Sequence, residues 1–256
     1  MSNLFFIDQK NNQKLAYKYY SRDLNKPGIT FLGGFRSDMT GSKTTFLEQF
    51  CEQEDLSYLC FDYAGHGLSS GLFEEGSIGL WKDNAAVLIR ELTGNRPQIL
   101  VGSSMGGWIM LLLALEMPEK IAGLVGIAAA PDFPKELIEP QMTHLQEDLL
   151  RSQGYFDVPS NYGEPYKITA HFMREALEHC LLNRGKLNIK TPVRLLHGMQ
   201  DKDVPYEYSL KIADQVISQD VETILVKNGD HSLSRPNNLD LLGACIQGLL
   251  NQKTYS

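Results

Sequence analysis

Three side chains that lie far apart in the sequence, Ser104, Asp201 and His231, have the types and the order needed for acyl transfer through a covalent intermediate. A serine hydroxyl is a weak nucleophile until a neighbouring base takes its proton. An imidazole ionises near neutral pH, so a histidine can accept that proton and later return it to the leaving group. A carboxylate beside the histidine fixes the imidazole tautomer and stabilises its protonated form.

Ser104 is the centre of a Gly-x-Ser-x-Gly turn, with Gly102 and Gly106 two residues to either side. The apolar run 98–102 before the turn is typical of a buried parallel strand, and the apolar segment 108–117 after it has helical length. Such a strand–turn–helix holds the serine in a strained backbone conformation with its hydroxyl above the sheet. A tightly packed turn without chemistry can show the same pattern, so the assignment depends on the other two residues.

The candidate acid and base each follow a predicted buried strand. Asp201 comes after the strand 193–197, and His231 comes after the strand 221–226. Because sites in open α/β sheets form outside the carboxyl ends of the strands, we expect both side chains to converge on Ser104.

Other ionisable residues compete for these roles. Asp203 lies two residues after Asp201; we expect Asp201 to face the histidine and Asp203 to cap the helix that begins near Pro205. His66 and His197 are expected to be structural, with His197 buried and hydrogen-bonded at the end of its strand.

A tetrahedral oxyanion needs two backbone N–H donors. The N–H of Met105, at the start of a helix, is one candidate, and the N–H of Phe35 in the first strand–helix loop is the other. The glycines at 33 and 34 let this loop approach a substrate closely. Arg36 follows directly, and we expect it to contact substrate, above all an anionic leaving group.

The rest of the chain supplies the elements that must hold these residues. Apolar runs alternate with segments of helical apolar spacing, as in a mostly parallel sheet covered on both faces. Strands are predicted at 3–8, 15–21, 29–32, 58–62, 98–102, 121–130, 193–197 and 221–226, with a polar turn at 9–14, and helices at 44–54, 77–92, 108–117, 136–152, 168–182, 206–217 and 238–250.

The alternation is interrupted between 132 and 190, where helical patterns flank a loop and no buried strand is evident. We expect an α/β core formed by 1–131 and 191–256, with a helical cap inserted at 132–190. Because the insertion leaves the carboxyl edge of the sheet, the cap should lie over Ser104.

Composition and charge argue against nucleic-acid-binding and membrane-inserted classes of protein. The chain has 256 residues, of which 43% are hydrophobic and 21% charged, as in an ordinary soluble globular protein. A net charge of −7 argues against nucleic acid and anionic membrane surfaces. No apolar stretch is long enough for a membrane span, so stable membrane insertion is not expected.

The four cysteines, at 51, 60, 180 and 245, form no C-x-x-C motif, which favours reduced thiols over a metal site. The N-terminal residues match neither a signal peptide nor an arginine-rich transit peptide. These observations predict a cytoplasmic protein that needs no metal and no organic cofactor.

The chain resembles the serine hydrolases of the α/β-hydrolase fold over essentially its whole length. The segments that carry the resemblance are FDYAGHGLSS, GSSMGGWIML, EALEHCLLN, RLLHGMQDKDVP and GDHSL. Within that family the chain is more similar to a mitochondrial branch of acyl-glucuronide esterases and palmitoyl-protein thioesterases. The resemblance implies an α/β-hydrolase fold and catalytic roles for Ser104, Asp201 and His231.

These features predict a serine-dependent carboxylesterase or thioesterase that acts on a small-molecule ester or thioester, or on an acylated protein. Two alternatives stay open. The same triad could serve an acyltransferase or a peptidase, or a binding or sensor protein could keep the triad without turnover.

Overall fold

The computed structural model describes residues 3–8, 13–160 and 163–251, with the backbone alone at 160, 163 and 164. The strands of these ranges are β1 (Leu4–Asp8), β2 (Lys14–Tyr20), β3 (Gly28–Leu32), β4 (Tyr58–Phe61), β5 (Gln98–Ser103), β6 (Ile121–Ile127), β7 (Tyr155–Ser160), β8 (Gly163–Thr169), β9 (Val193–Gly198) and β10 (Val221–Val226). The α-helices are α1 (Ser42–Gln53), α2 (Ile78–Thr93), α3 (Met105–Glu116), α4 (His144–Ser152), α5 (Ala170–Glu178), α6 (Glu207–Gln215) and α7 (Pro236–Leu250).

Eight strands form one sheet in the order β1-β2-β4-β3-β5-β6-β9-β10. The six strands from β4 to β10 are parallel, and β1 and β2 add an antiparallel edge. Thus β5, which leads to Ser104, lies in the middle of the sheet, while β9 and β10 lie side by side at its far end. The carboxyl ends of these three strands meet at one edge.

Two apolar clusters cover the sheet. One contains the buried faces of α2, α3 and α6, and the other contains the buried faces of α1 and α7. Helix α3 is apolar on nearly all sides because it is covered by the sheet, by α2 and, at Trp108, by the inserted segment. The predicted α/β architecture is confirmed.

Element boundaries agree with the predictions to within a few residues. The strand predicted at 121–130 ends at Ile127, because Ala128 takes a positive φ of 45° and the chain turns there. Of the polar turn predicted at 9–14, residues 9–12 lie outside the described part of the chain.

The insertion is not purely helical, which corrects the prediction of a helical cap. Strands β7 and β8 form an antiparallel hairpin where a loop was expected, with Phe156 paired to Ile168. Both side chains are buried, and their neighbours Asp157 and Lys167 are more exposed, which is the alternation of a strand. Glycines and prolines in this stretch masked that alternation in the sequence.

The helix predicted at 136–152 is also shorter than expected. A π-helical turn at Pro134–Ile138 and a 3₁₀ turn at Glu139–Gln141 precede α4, which begins after Thr143. Pro140 lacks the backbone N–H needed for a continuous helix. The Thr143 hydroxyl accepts from the N–H of Gln146, and the Gln146 side chain accepts from the N–H of Thr143, so a capping box starts the new helix.

The two ends of the insertion are joined at its base. Asp132 is fully buried, and its carboxylate accepts hydrogen bonds of 2.7 Å each from the N–H groups of Leu181 and Leu182. Its φ of 61° turns the chain away from the sheet. The insertion therefore leaves and rejoins the core at one point.

Candidate active site

Ser104 occupies the turn between β5 and α3 with φ 54° and ψ −118°, a conformation that side-chain-bearing residues seldom adopt. Its N–H donates to the carbonyl of Ile127, and its carbonyl accepts from the N–H of Gly107 and of Ala130. These bonds to the neighbouring strand end and to α3 hold the strained turn.

The glycines around Ser104 are required by close backbone contacts. A Cβ atom on Gly106 would lie 2.1 Å from the Leu32 carbonyl oxygen, and one on Gly102 would lie 2.4 Å from the Gly106 carbonyl oxygen. Either contact is far shorter than van der Waals packing allows. The spacing Gly-x-Ser-x-Gly is thus explained by the geometry of the turn.

The structure brings the three predicted residues together. His231 Nε2 lies 3.1 Å from Ser104 Oγ, and His231 Nδ1 lies 2.7 Å from Asp201 Oδ2. The Asp201 side chain is buried, while the His231 side chain is 22% exposed, which leaves the imidazole open to a substrate. Serine, imidazole and carboxylate stand in the order required for general-base activation of the hydroxyl.

The loops that carry Asp201 and His231 are packed against each other. A Cβ atom on Gly198 would lie 2.4 Å from the carbonyl carbon of Gly229, and the N–H of Gln200 donates to that carbonyl at 2.9 Å. Because both loops leave neighbouring parallel strands, this contact brings the carboxylate to the imidazole.

The His231 loop is held from its other side by α1. Lys43 Nζ donates to the Ser232 carbonyl at 2.6 Å and to Ser234 Oγ at 3.3 Å. Burial lowers the pKa of Lys43 to about 8. Asp230 serves as a turn residue, since its carboxylate accepts from Ser232 Oγ and from the N–H of Leu233.

Asp201 accepts four hydrogen bonds. The N–H groups of Asp203 and Val204 donate to Oδ1 at 2.9 Å each, while His231 and His197 lie against Oδ2. Burial alone would raise the pKa of the Asp201 carboxyl, but the hydrogen bonds from His197 and His231 outweigh burial and hold that pKa well below its usual range. Asp201 therefore stays ionised at pH values at which a free aspartate takes up a proton.

The predicted cap role of Asp203 is wrong. Helix α6 begins at Glu207, and its N-cap residue is Tyr206, which makes no side-chain cap bond. Asp203 is exposed, and a carboxylate oxygen of this residue lies within 4.8 Å of the nearest polar atoms of Asp201 and His231. Its side chain adds negative charge beside the triad.

Within the described residues, Asp201, Asp203 and His231 are also the group whose polar atoms could approach one metal ion. Both Asp201 oxygens already accept from two donors each, and His231 Nδ1 is engaged by Asp201. This donor set fits an acid–base pair better than a cation site.

The predicted oxyanion donors lie beside the nucleophile. Met105 is the first residue of α3, and N–H groups in the first turn of a helix have no acceptor within it. Phe35 follows Gly34, where a Cβ atom would lie only 3.5 Å from Ser104 Cβ. The β3–α1 loop thus passes directly over the serine.

His66 supports this loop and takes no part in the triad, in line with its predicted structural role. The ring is buried, and Nε2 accepts from the N–H of Arg36 at 3.2 Å, while Nδ1 lies 3.3 Å from the Ala64 carbonyl. Burial lowers the pKa of His66 to about 4, so the ring is neutral and able to accept. The bond fixes Arg36 in its positive-φ conformation, with φ 56°.

The Arg36 side chain lies at the boundary between core and insertion. Its guanidinium carbon is 5.1 Å from the ring centroid of Phe73 and 6.0 Å from that of Tyr166 in β8. Burial raises the pKa of the Tyr166 phenol, with the charges of Asp203 and Arg36 acting in opposite directions. Arg36 and Tyr166 therefore lie together at the boundary between core and insertion, and the charge of Asp203 acts on the Tyr166 phenol.

Aromatic rings fill the space next to the proposed oxyanion loop. The Phe35 ring is surrounded by five others at centroid distances of 4.8–5.8 Å: Phe73, Trp81, Phe133, Tyr166 and Phe172. Two of these rings belong to the core and three to the insertion. The insertion is anchored to the core by apolar contacts at the site.

Sequence reasoning missed two supports of the site, the ammonium group of Lys43 and the contact of His197 with Asp201. His197 was expected to be buried and hydrogen-bonded, which is confirmed, but its partner was not foreseen. The spacing could have indicated this contact, because His197 lies near the end of β9 and four residues before Asp201.

The comparisons with known proteins agree with this geometry. Residues 45–162 match the α/β-hydrolase fold family. The chain is 37% identical to the human protein named palmitoyl-protein thioesterase ABHD10, mitochondrial, over 253 residues that cover 98% of this chain and 81% of that protein. It is 38% identical to the rat protein of the same name, covering 97% and 83% of the two chains.

Two solved structures extend the agreement. One is a hydrolase from Agrobacterium vitis S4, with a TM-score of 0.92, 34% identity and coverage of 98% and 99% of the two chains. The other is mouse alpha/beta hydrolase domain-containing protein 10, with a TM-score of 0.87, 37% identity and the same coverage. The chain belongs to the α/β-hydrolase family. Within that family it is a hydrolase of the esterase and thioesterase class.

The comparisons do not support the predicted cytoplasmic location, because the names of these relatives carry the word mitochondrial. All four cysteines are free and buried. No helix in the described part of the chain combines the length and the hydropathy needed to cross a bilayer.

Proposed function

We propose that the chain hydrolyses carboxylic esters and thioesters through an acyl-enzyme on Ser104. The observation that carries this proposal is the pair of distances around His231, 3.1 Å from Nε2 to Ser104 Oγ and 2.7 Å from Nδ1 to Asp201 Oδ2. The substrate class follows from the relatives, whose names specify a palmitoyl-protein thioesterase. S-acylated proteins and small acyl thioesters or esters are the proposed substrates.

In the proposed reaction, Ser104 Oγ attacks the acyl carbon while His231 Nε2 takes the hydroxyl proton. The N–H groups of Phe35 and Met105 donate to the oxyanion of the tetrahedral intermediate. His231 then gives the proton to the departing sulfur or oxygen, and an acyl-enzyme remains. Water, activated by His231, attacks the acyl carbon and releases the acid and free Ser104. These steps use protein groups and water alone.

The inserted segment is proposed to be the unit that selects substrates. Asp132 and the N–H groups of Leu181 and Leu182 join its two ends, which supports a cap bounded close to the predicted 132–190 on a core of 1–131 and 191–256. Its aromatic residues lie around Phe35, close to where an acyl group on Ser104 would extend. A cytoplasmic location stays a prediction from the sequence, which the names of the relatives do not support.

Two cations of the cap, Arg151 and Lys167, have partners within the cap. Arg151 pairs with Glu147 at 3.2 Å, and the Lys167 ammonium lies 4.8 Å from the ring centroid of Tyr155. Arg36 carries no ion pair with any described carboxylate, and it directly follows Phe35, whose N–H is a proposed oxyanion donor. It is therefore the cation we propose for recognition of an anionic leaving group.

The test compares the wild-type protein with Ser104→Ala, using Ser103→Ala as a matched control. Ser103 is the neighbouring residue, buried at the end of β5. Each protein is labelled with a fluorophosphonate and assayed against a panel of acyl thioesters, esters and acyl glucuronides. Wild type and Ser103→Ala should label and turn over, whereas Ser104→Ala should lose about four to six orders of magnitude in rate.

Labelling at Ser103, or substantial turnover by a folded Ser104→Ala protein, would contradict the assignment of the nucleophile. Labelling without turnover on any acyl substrate would instead favour a binding or sensor protein that keeps the triad. Transfer of the acyl group to an added alcohol or amine in preference to water would indicate an acyltransferase.

A further inference from the structure

We propose that His197 is a positioning residue, which together with Ser209 forms a buried hydrogen-bonded chain that orients Asp201 for His231. The inference rests on the proposed function, because Asp201 is the acid of the proposed triad. It extends the linear arrangement Ser104–His231–Asp201 by two side chains on the side away from substrate.

His197 lies near the end of β9 and has no exposed surface. Its Nε2 atom is 3.2 Å from Asp201 Oδ2 and 3.0 Å from the carbonyl oxygen of Val204. Its Nδ1 atom is 2.8 Å from Ser209 Oγ in α6. Every polar atom of the ring therefore has a partner.

The partners determine where the proton is. The Val204 carbonyl and the Asp201 carboxylate can only accept hydrogen bonds, so Nε2 must carry a proton and share it between them. In the neutral imidazole, Nδ1 is then an acceptor, and the Ser209 hydroxyl donates to it. The two acceptors at Nε2 thus fix the tautomer of His197, and the Ser209 hydroxyl completes the hydrogen bonding at Nδ1.

Asp201 Oδ2 is consequently shared by two imidazoles, with Nδ1 of His231 at 2.7 Å and Nε2 of His197 at 3.2 Å. The two N–H donors at Oδ1 belong to the backbone of the same loop. His197 is therefore the group that holds the carboxylate from outside its own loop and outside the reacting pair. Without the donor from His197, Asp201 Oδ2 has His231 as its one remaining hydrogen-bond partner among the described residues.

This sharing has a chemical consequence. A hydrogen bond to the charged form of a carboxylate stabilises that form and reduces the proton affinity of the carboxylate. Asp201 then stabilises a protonated His231 less than an unshared carboxylate would. Loss of the His197 donor should make His231 harder to deprotonate and should move the acid limb of the rate profile to higher pH.

The other charged groups around the chain are unchanged by substitutions at His197. A carboxylate oxygen of Asp203 lies within 4.8 Å of a polar atom of Asp201 and of His231. Lys43 contacts the loop that carries His231, and Asp230 belongs to that loop. Helix α6 faces His197 with the neutral hydroxyl of Ser209. A shift in the pH profile would therefore report on the bond from His197 to Asp201.

The experiment compares kcat, KM and the pH profile of kcat/KM for wild type, His197→Leu, His197→Gln and Ser209→Ala on one activated thioester. The leucine removes the donor at similar volume. It should lower kcat by about 10- to 100-fold, the range for loss of an outer partner that orients a site residue, with KM nearly unchanged. The acid limb should move upward by about 0.5 to 1 pH unit. The glutamine amide can donate from the Nε2 position and should restore most of kcat and the wild-type profile.

Leu195→Ala, two residues earlier in β9 and fully buried, is the control for loss of packing. It should lower the midpoint of thermal unfolding without moving the pH profile. If His197→Leu does not fold, Ser209→Ala decides the question, because it removes one hydroxyl and should shift the acid limb in the same direction.

A folded His197→Leu protein with the wild-type kcat and pH profile would overturn the inference and leave the proposed function intact, provided that Ser104→Ala abolishes turnover. The inference would also be overturned if His197→Leu moved the acid limb of the pH profile no further than Leu195→Ala does. Absence of turnover and of fluorophosphonate labelling in the wild type would instead refute the proposed function, and the inference would fall with it.

Discussion

Replacing Asp201 by asparagine should nearly abolish activity, whereas Asp203→Asn should leave most of it. The two carboxylates are two residues apart in one loop, and both lie near His231. They differ in burial and in hydrogen bonding. The Asp201 side chain is buried and accepts four hydrogen bonds, while Asp203 is exposed.

The expected loss for Asp201→Asn follows from the donors around each oxygen. The N–H groups of Asp203 and Val204 point at Oδ1, so the amide oxygen will take that place and the amide nitrogen will take the place of Oδ2. The amide N–H then donates to His231 Nδ1, and the proton of that imidazole moves to Nε2. A protonated Nε2 cannot accept from Ser104. In the best-studied triad, the Asp to Asn substitution lowers kcat by about four orders of magnitude. This corresponds to about 5.5 kcal/mol of transition-state stabilisation.

The expected loss for Asp203→Asn is much smaller. Its carboxylate lies within 4.8 Å of the polar atoms of His231 and is exposed to solvent. Two unit charges at that separation in water interact by about 1 kcal/mol, so removal of the charge should change kcat/KM by less than about tenfold. The backbone N–H of residue 203 still donates to Asp201 in this variant.

Both variants are assayed for kcat/KM on an activated ester and a thioester of the same acid, together with thermal unfolding by circular dichroism. Salt should reduce the effect of Asp203→Asn, because the charge is screened, and should not change that of Asp201→Asn. Equal losses in two folded variants, or a greater loss for Asp203→Asn, would refute the assignment of the acid.

Three further predictions concern the surroundings of the triad. Arg36→Ala should lower kcat/KM for an acyl glucuronide by about 10- to 100-fold and leave a neutral ester of the same acid nearly unchanged; equal losses would mean that the side chain only supports its loop. Because burial lowers the pKa of His66 to about 4, the unfolded chain takes up a proton between about pH 6.5 and 4 that the folded chain cannot. The free energy of unfolding should therefore fall by about 3 kcal/mol over that interval, and urea titrations of His66→Gln should lack this component; parallel pH dependences in the two proteins would contradict it. Gly106→Ala should destabilise the fold strongly, since its Cβ would lie 2.1 Å from the Leu32 oxygen, whereas Gly248→Ala, with open space around its Cβ on α7, should stabilise it by up to about 1 kcal/mol. A tolerated Gly106→Ala in urea unfolding would refute the account of the turn.

The sheet and the triad could be predicted from the sequence because each depends on short-range patterns. Apolar runs between helical segments determine a parallel sheet, and a parallel sheet places the carboxyl ends of its strands at one edge. Ser104 follows such a strand directly, and Asp201 and His231 lie in the loops that leave two others. Their convergence therefore required no knowledge of side-chain packing.

The hairpin in the cap could not be predicted in the same way. Strands β7 and β8 pair with each other and with no strand of the main sheet, so they lack the continuous apolar run of a buried parallel strand. Their glycines and prolines are typical of loops. What selects the hairpin is burial of Phe156 and Ile168 against the core, a tertiary contact.

The supports of the site also depend on tertiary contacts. The bond from His66 to the N–H of Arg36 joins two loops 30 residues apart, and the bond from Lys43 to Ser232 joins groups 189 residues apart. Nothing in the local sequence around His66, which accepts the first bond, or around Lys43, which donates the second, indicates its partner. Only the fold brings each of these residues to its partner.

The position of Phe35 links the proposed oxyanion hole to the cap. Its backbone N–H is a proposed donor to the oxyanion, and its side chain packs against Phe133, Tyr166 and Phe172 of the insertion. A displacement of the insertion would move the Phe35 ring. Because the ring and the N–H belong to one residue, the proposed oxyanion donor would move with it. Arg36, the next residue, is held by His66 on the backbone side and by Tyr166 on the side-chain side. The loop that would stabilise the transition state is therefore fixed from both core and cap, so substitutions in the cap should alter kcat as well as KM.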